Sequence, residues 1–281
     1  MTILDAVILG VVQGITEFLP ISSSGHLVVG QHALGLKSEG GGVLFEVVVH
    51  AGSLLAVLAV YANDLWRILL ASLRALPAFF QGRFAESIAD PEARLGAFIV
   101  LGTIPTGLMG VALKDLFESL FGSLSAVGAA FLLTGLLLWI SGRISARQQG
   151  EARGPESLRV RDALIVGVAQ GIAITPGISR SGTTIATAMI LGIDRSLAAR
   201  FSFLLSIPAI LGALVLHLKD GVGALEAGAG VFLAGFLAAA ISGYLALRLL
   251  LVLVDRGRFG VFAYYLWPLG LAVLGWALAG G

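Results

Sequence analysis

The apolar residues of this chain are gathered into long runs separated by short polar segments. Six runs are long enough, at about 17 to 25 residues, to cross a bilayer as a helix. They lie near residues 43–61, 95–113, 124–141, 201–218, 229–250 and 260–279. The pattern therefore predicts an all-α polytopic membrane protein with six full transmembrane helices.

Two further apolar regions, 3–36 and 162–193, are interrupted near their middle by proline, glycine and hydroxyl-bearing residues. Each region predicts two half-length helices joined by a polar turn. A broken segment is tolerated at membrane depth only where protein or a water-filled cavity satisfies its free backbone groups. We therefore expect two re-entrant helical hairpins that line a cavity.

Composition agrees with a membrane protein and excludes some other classes. Hydrophobic residues make up 57% of the 281 residues and charged residues only 12%, whereas soluble domains are about a quarter charged. The net charge is +1 and the basic residues fall in loops, so no nucleic-acid partner is expected. The chain has no cysteine, which excludes disulfides and thiol ligands.

The two interrupted regions are copies of one another. Residues 5–26 align without a gap on residues 162–183, with identity at 12 of 22 positions. Composition alone would give about two identities over such a length. The duplication predicts one membrane domain, 1–281, built from repeats 1–141 and 162–281 and joined by a linker, 142–161.

The loop charges predict how the repeats are oriented. Arginines cluster in segments 62–94, 142–161 and 248–258, whereas the loops around Lys114 and Lys219 carry one basic residue each. An excess of basic residues marks cytoplasmic loops. The first hairpin then begins and ends outside and the second inside, so the topology is inverted. Inverted repeats bring their broken helices together near the midplane, around a bound anion.

The two hairpin turns carry different chemistry. The first turn supplies Glu17, Ser22, Ser23, Ser24 and His26. The second turn supplies Thr175, Ser179, Arg180, Ser181, Thr183 and Thr184. The first set suits nucleophilic attack or proton transfer. The second set suits phosphate binding by a helix N-terminus and a guanidinium group.

Each of these residues has a structural interpretation as well. Serine and glycine in membrane helices usually serve close packing. An ionisable group at membrane depth is costly unless it is paired, which marks Arg180 and Glu17 as functional candidates or as a simple ion pair. On the first full span, Glu46 and His50 share a helix face and either extend the site or form a hydrogen-bonded pair.

Two further functions stay open from these patterns alone. Gln13 lies four residues before Glu17 on one helix face, so the two offer oxygen ligands to a hard cation such as Mg²⁺ or Ca²⁺. Paired broken helices in inverted repeats are also the architecture of secondary transporters. The alternative function is therefore a transporter or flippase for a phosphate-bearing lipid or anion, which needs an anion cradle but no serine, histidine and glutamate set.

The segments "QGITEFLPISSSGH" and "PGISRSGTT" resemble the two motifs of the bacterial undecaprenyl pyrophosphate phosphatases of the bacitracin-resistance type. The resemblance covers the whole chain and includes "LFEVVVHAGSLLAV" and "FSFLLSIPAI". It implies hydrolysis of undecaprenyl diphosphate to undecaprenyl phosphate and inorganic phosphate, which recycles the lipid carrier for cell-wall synthesis and confers bacitracin resistance. It also implies a divalent cation and a bacterial plasma membrane location, with the site facing outward.

The resemblance also assigns roles to residues of this chain. It implies Ser23 as nucleophile, with Ser22 beside it, and His26 as a catalytic histidine, although serine and histidine stay open as the attacking group. It implies phosphate binding by Arg180 with Ser179, Ser181 and Thr184 around it, and we expect Ser22 to bind the phosphate as well. It implies metal binding by Gln13 and Glu17, where the glutamine removes one carboxylate.

Our hypothesis is that Ser23 attacks the terminal phosphorus after activation by His26 or Glu17. Arg180 and the cation would neutralise the charge that develops. The expected partners are the polyprenyl diphosphate lipid and the bilayer, and a homodimer is left open.

Overall fold

The computed structural model of the chain describes residues 1–33, 41–147, 152–218 and 228–280. Within these ranges the protein consists of thirteen α-helices and two short 3₁₀ turns. The linker residues 148–151 and the loop around Lys219 lie outside them. The described part of the chain is therefore all-α, as the apolar runs predicted.

The helices are numbered in chain order. They are α1 (Ile3–Phe18), α2 (Ser23–Ala33), α3 (Gly41–Val60), α4 (Ala62–Phe80), α5 (Phe84–Ser87), α6 (Pro91–Ala112), α7 (Lys114–Phe121), α8 (Leu124–Arg147), α9 (Val160–Ile172), α10 (Arg180–Ile190), α11 (Arg195–Leu218), α12 (Ala229–Asp255) and α13 (Ala263–Leu278). The 3₁₀ turns are Pro155–Ser157 and Phe259–Phe262.

Five helical segments in the described ranges are long and apolar enough to cross a membrane. They are Pro91–Ala112, Leu124–Arg147, Arg195–Val215, Ala229–Asp255 and Phe259–Leu278. The predicted span 43–61 forms α3, which meets α4 at an angle of 74°, and this bent pair is a sixth candidate. The protein is thus a multi-pass membrane protein, with five candidate spans in the described part of the chain, or six if the bent pair counts as one.

Both interrupted regions fold as two helices separated by a turn. Residues 19–22 separate α1 from α2, and residues 173–179 separate α9 from α10. Leu19 is extended, with φ −62° and ψ 143°, which is the conformation that Pro20 imposes on the residue before it. The starts of α1 and α9 lie 157 residues apart, as do the starts of α2 and α10.

Several residues that the two copies share have structural roles. The carboxylate of Asp5 accepts a hydrogen bond from the Thr2 N–H at 2.8 Å, and that of Asp162 accepts from the Arg159 N–H at 2.9 Å. Each aspartate therefore satisfies a free donor at the start of its helix. These shared aspartates explain why both hairpins begin their first helix at equivalent positions.

Shared glycines allow the first helix of each hairpin to pack closely on a distant span. A Cβ added at Gly10 of α1 would collide with the carbonyl oxygen of Gly235 in α12. A Cβ added at Gly167 of α9 would collide with the carbonyl oxygen of Gly102 in α6. Small residues permit such backbone approach between membrane helices. Each hairpin is thereby fixed against a helix from the other half of the chain.

Candidate active site

A cavity of about 150 Å³ lies where the two turns meet. Its lining consists of Thr16, Glu17, Ser22, Ser23, Ser24, His50, Ala173, Ile174, Ile178, Ser179 and Arg180. These residues come from the end of α1, the first turn, the start of α2, α3, the second turn and the start of α10. Two segments about 157 residues apart in sequence therefore share one cavity.

Glu17 is the centre of the polar network in this cavity. Its Oε1 accepts a hydrogen bond from Nη2 of Arg180. Its Oε2 accepts from the Ser23 hydroxyl at 2.6 Å and from the Gln13 amide at 3.0 Å. The side chain of Glu17 is only 8% exposed. A buried carboxylate is stabilised by a close cation and by hydrogen bonds to its remaining lone pairs, and both are present.

Ser23 begins α2 and donates its hydroxyl hydrogen to the carboxylate of Glu17. This orientation leaves the oxygen lone pairs of the hydroxyl free and places a proton acceptor in contact with it. A serine is a weak nucleophile until an adjacent base takes its proton. The pair of Ser23 and Glu17 therefore has the geometry of an activated nucleophile.

The backbone of Ser22 sets the position of Ser23. Ser22 has φ 70° and is the non-glycine residue with positive φ among the described residues. Such a conformation costs on the order of 1 kcal/mol or more and occurs mainly at functional sites. The Ser22 hydroxyl accepts from the Gly25 N–H at 3.3 Å, so it satisfies a free donor at the start of α2.

Arg180 begins α10 and faces the same cavity. Its side chain is 15% exposed. Nη2 is occupied by Glu17, whereas Nη1 is buried and has no hydrogen-bond partner among the described residues. A buried donor without a protein partner is available to a ligand or to water, and guanidinium donors at a helix N-terminus favour phosphate oxygens. Arg180 can thus hold an anion while it stays paired with Glu17.

The other predicted phosphate-binding residues divide into two groups. Ser22 and Ser179 line the cavity, whereas Ser181 and Thr184 do not. The Ser179 hydroxyl accepts from the Gly182 N–H at 3.1 Å and caps α10. The Thr184 hydroxyl donates to the Arg180 carbonyl at 2.8 Å. Thr184 therefore supports the helix that carries Arg180, whereas the Ser181 hydroxyl lies 3.3 Å from the Ser179 hydroxyl.

His26 is not brought into the cavity. Its Nδ1 lies 2.7 Å from the carbonyl oxygen of Ser22, and its Nε2 lies 2.8 Å from the hydroxyl of Tyr265. A carbonyl only accepts, so Nδ1 carries the hydrogen and Nε2 accepts from the tyrosine. The ring also stacks on Tyr265, with 5.8 Å between centroids. Of the two groups expected to activate Ser23, the structure places Glu17 in contact with it.

His50 lines the cavity although the sequence left its role open. Its Nε2 lies 3.7 Å from Oε2 of Glu17, and its Nδ1 lies 2.8 Å from the carbonyl oxygen of Glu46. The contact with Glu46 is thus made by the backbone, and the carboxylate of Glu46 is not part of the lining. The signal in the sequence was an ionisable residue within an apolar run, which indicates function by default.

The predicted metal ligands offer a small set of oxygens. Gln13 is fully buried, and its Oε1 has no hydrogen-bond partner among the described residues. No group of three or more histidine, aspartate or glutamate side chains that could hold a metal occurs in the described ranges. Mg²⁺ is commonly held by one or two protein oxygens together with substrate phosphates. Oε1 of Gln13 is the unpartnered oxygen of the two residues, whereas both oxygens of Glu17 accept hydrogen bonds, so a cation held here would take its other ligands from a phosphate and water.

This chain is similar to known proteins over nearly its whole length. Residues 6–272 match the family described as bacitracin resistance protein BacA. An undecaprenyl-diphosphatase of Methanobrevibacter smithii is 45% identical over 275 residues, which cover 97% of each chain. An undecaprenyl-diphosphatase of Carboxydothermus hydrogenoformans is 44% identical over 98% of this chain and 97% of its own. One of Alkaliphilus metalliredigens is 41% identical over 98% of each chain.

Proposed function

The chain belongs to the BacA family of bacitracin resistance proteins, and from that premise we propose that it is an undecaprenyl-diphosphate phosphatase. It hydrolyses undecaprenyl diphosphate to undecaprenyl phosphate and inorganic phosphate, which recycles the lipid carrier and confers bacitracin resistance. One observation carries the proposal. The Ser23 hydroxyl donates to Glu17 at 2.6 Å while Arg180 holds the other carboxylate oxygen.

In the first step the oxygen of Ser23 attacks the terminal phosphorus of the substrate. Its proton passes to Oε2 of Glu17, which already accepts the hydrogen bond from that hydroxyl. The bond from phosphorus to the bridging oxygen breaks, and undecaprenyl phosphate leaves with the electron pair. The step yields a phosphoserine and a protonated Glu17, as nucleophilic catalysis with an adjacent base requires.

In the second step water attacks the phosphoserine. The bond between phosphorus and the serine oxygen breaks, inorganic phosphate is formed, and Glu17 returns its proton to Ser23. The free enzyme is thereby restored. Phosphoryl transfer depends chiefly on positioning and on neutralising the charge of the phosphate oxygens.

The starts of α2 and α10 supply part of that neutralisation. Ser23 and Arg180 are the first residues of their helices, and both line the cavity. A helix N-terminus carries a partial positive charge and free N–H groups that favour phosphate. Arg180 adds a full charge and the buried Nη1 donor. These groups would hold the terminal phosphoryl group in place for attack by Ser23.

We extend the proposal to the membrane topology. Repeats 1–141 and 162–281 would be inserted in opposite orientations, with two re-entrant hairpins and a cytoplasmic linker at 142–161. The matching helix starts and the arginine-rich segments support this arrangement. The site would then be open to the outer face of the plasma membrane. A homodimer stays a prediction from the sequence.

The proposal includes a divalent cation, Mg²⁺ or Ca²⁺. Glu17 and Gln13 would hold it, and it would supply positive charge against the diphosphate oxygens when bound. We expect chelation with excess EDTA to lower phosphate release by about 10²-fold or more. Adding back Mg²⁺ or Ca²⁺ in excess of the chelator should restore the rate. An unchanged rate after chelation and dialysis would refute the cation.

The function is tested by phosphate release from undecaprenyl diphosphate. Detergent-purified protein with Mg²⁺ or Ca²⁺ should release inorganic phosphate and undecaprenyl phosphate in equal amounts. The Arg180→Ala variant should be slower by about 10²-fold or more, because the phosphate loses its main cation. If the wild type released phosphate no faster than this variant, the enzyme proposal would be wrong. Lipid transfer across liposomes without phosphate release would favour the carrier instead.

A further inference from the structure

Tyr265 of α13 contacts the start of α2, although it lies 239 positions after His26 in the sequence. Its hydroxyl lies 2.8 Å from Nε2 of His26. The two rings are stacked, with 5° between their planes and 5.8 Å between their centroids. A third ring, that of the buried Phe131 in α8, meets the imidazole edge-on with 5.3 Å between centroids. Residues of two distant helices therefore hold the imidazole in place.

These contacts decide what the imidazole of His26 can do. The Ser22 carbonyl oxygen, 2.7 Å from Nδ1, can only accept, so Nδ1 carries the hydrogen. The lone pair of Nε2 then accepts the hydrogen of the Tyr265 hydroxyl. Neither ring nitrogen has a free lone pair for the proton of Ser23, whose hydroxyl donates to Glu17 instead. In this arrangement the imidazole serves as a donor to the backbone rather than as a base.

The backbone that receives this hydrogen bond is strained. Ser22 has φ 70°, and a non-glycine residue keeps such a conformation only where its surroundings determine it. Its carbonyl oxygen accepts from Nδ1 of His26 at 2.7 Å and from the His26 N–H at 3.3 Å, so the imidazole makes the shorter contact. Ser22 directly precedes Ser23 in the chain. The orientation of the Ser22 backbone therefore decides where the Ser23 hydroxyl lies in the cavity.

We infer that Tyr265 is a positioning residue for the reaction of Ser23, and this inference rests on the nucleophilic role proposed for that serine. The tyrosine hydroxyl fixes the tautomer and the plane of the His26 imidazole. Nδ1 of His26 then holds the Ser22 carbonyl, and the Ser22 backbone places Ser23. Tyr265 itself does not line the cavity. It acts through geometry, because a misplacement of about 1 Å in a reacting group can lower a rate by about 10²-fold.

The Tyr265→Phe variant tests this inference, because it removes the hydroxyl and keeps the ring that stacks on His26. With undecaprenyl diphosphate and Mg²⁺, we expect kcat to fall by about 10-fold to 10²-fold. KM should stay within about twofold of the wild-type value, because Arg180 is unchanged. In histidine-labelled protein, the ¹⁵N signal of Nε2 of His26 should move towards that of an unbonded imine nitrogen, since this atom loses its donor.

The matched control is Tyr264→Phe. Tyr264 precedes Tyr265 in α13, is 65% exposed and packs on Trp267, so this variant should behave like the wild type. The side chain of Tyr265 is itself 47% exposed, and its replacement by phenylalanine removes one oxygen only. The fold should therefore be retained, and equal melting temperatures of both variants and the wild type check this.

Substitutions of His26 separate positioning from catalysis. His26→Asn keeps an N–H donor near the place of Nδ1 and should retain a rate within about tenfold of the wild type, whereas His26→Ala should be slower by about 10²-fold. Because Tyr265 acts through the imidazole, Tyr265→Phe should cause no further loss when it is combined with His26→Ala.

Three results would overturn the inference. They are an unchanged kcat in Tyr265→Phe, a His26→Asn variant as slow as His26→Ala, and losses that add in the double variant. The first would show that the tyrosine hydroxyl has no influence on the reaction. The second would make the imidazole a catalytic group, and the third would show that Tyr265 acts by another route. A wild type without phosphate release would instead refute the proposed function.

Discussion

Replacing Ser23 with alanine is expected to lower the turnover of undecaprenyl diphosphate by about 10⁴-fold or more. The hydroxyl is the group that donates to Glu17 at 2.6 Å, and no other described side chain hydroxyl contacts that carboxylate. The protein should still fold, because serine and alanine differ by one oxygen. Phosphate release and the trapping of a phosphoenzyme with radiolabelled substrate measure the effect.

The matched control for this variant is Ser141→Ala. Ser141 is fully buried in α8 and donates to the Leu138 carbonyl at 2.9 Å, outside the cavity. It should retain the wild-type rate. Turnover that survived in the Ser23→Ala variant would refute Ser23 as the nucleophile. A phosphoenzyme labelled at His26 in that variant would assign the attack to the histidine.

The second large effect is expected for Glu17→Gln. The rate should fall by about 10²-fold to 10⁴-fold, because the amide cannot take the proton of Ser23. The variant also leaves the cation of Arg180 in a largely buried position without its counter-charge. Breaking one side of a buried ion pair commonly costs about 3–5 kcal/mol, so the melting temperature should fall as well.

A second substitution separates catalysis from stability at this pair. The double variant Glu17→Gln with Arg180→Gln should regain part of the lost melting temperature, because no unpaired charge remains, but none of the lost activity. Glu46→Gln is the charge-matched control, since the Glu46 side chain is not part of the cavity lining. If Glu17→Gln kept the wild-type rate, Glu17 would not be the base for Ser23.

Much of the fold follows from patterns local to the chain. Long apolar runs require helices because backbone polar groups must be satisfied within the membrane, and proline with glycine marks both breaks. The predicted span 43–61 forms α3, which ends at Val60 and bends by 74° into α4. The apolar run indicated a helix there, but its direction depends on packing that sequence periodicity does not describe.

Part of the site also follows from patterns that are local to the chain. The motif residues Glu17, Ser23 and Arg180 do meet, because each stands at a helix end that faces the cavity. The roles of the histidines were harder to predict, because His26 lies close to Ser23 in the sequence and His50 does not. Its partner Tyr265 lies 239 positions away, and His50 reaches Glu17 only through the packing of α3. Such long-range contacts leave no periodic signal in the sequence.

The contact between Glu17 and Arg180 joins two segments whose sequences align with one another. The alignment of the copies pairs Glu17 with Ile174 and Arg180 with Ser23, so each copy carries one of the two charges. The copies thus differ at both positions, while they share the glycines and aspartates of the framework. One segment therefore supplies the carboxylate and the other the guanidinium group, so two identical copies of either segment could not form this ion pair.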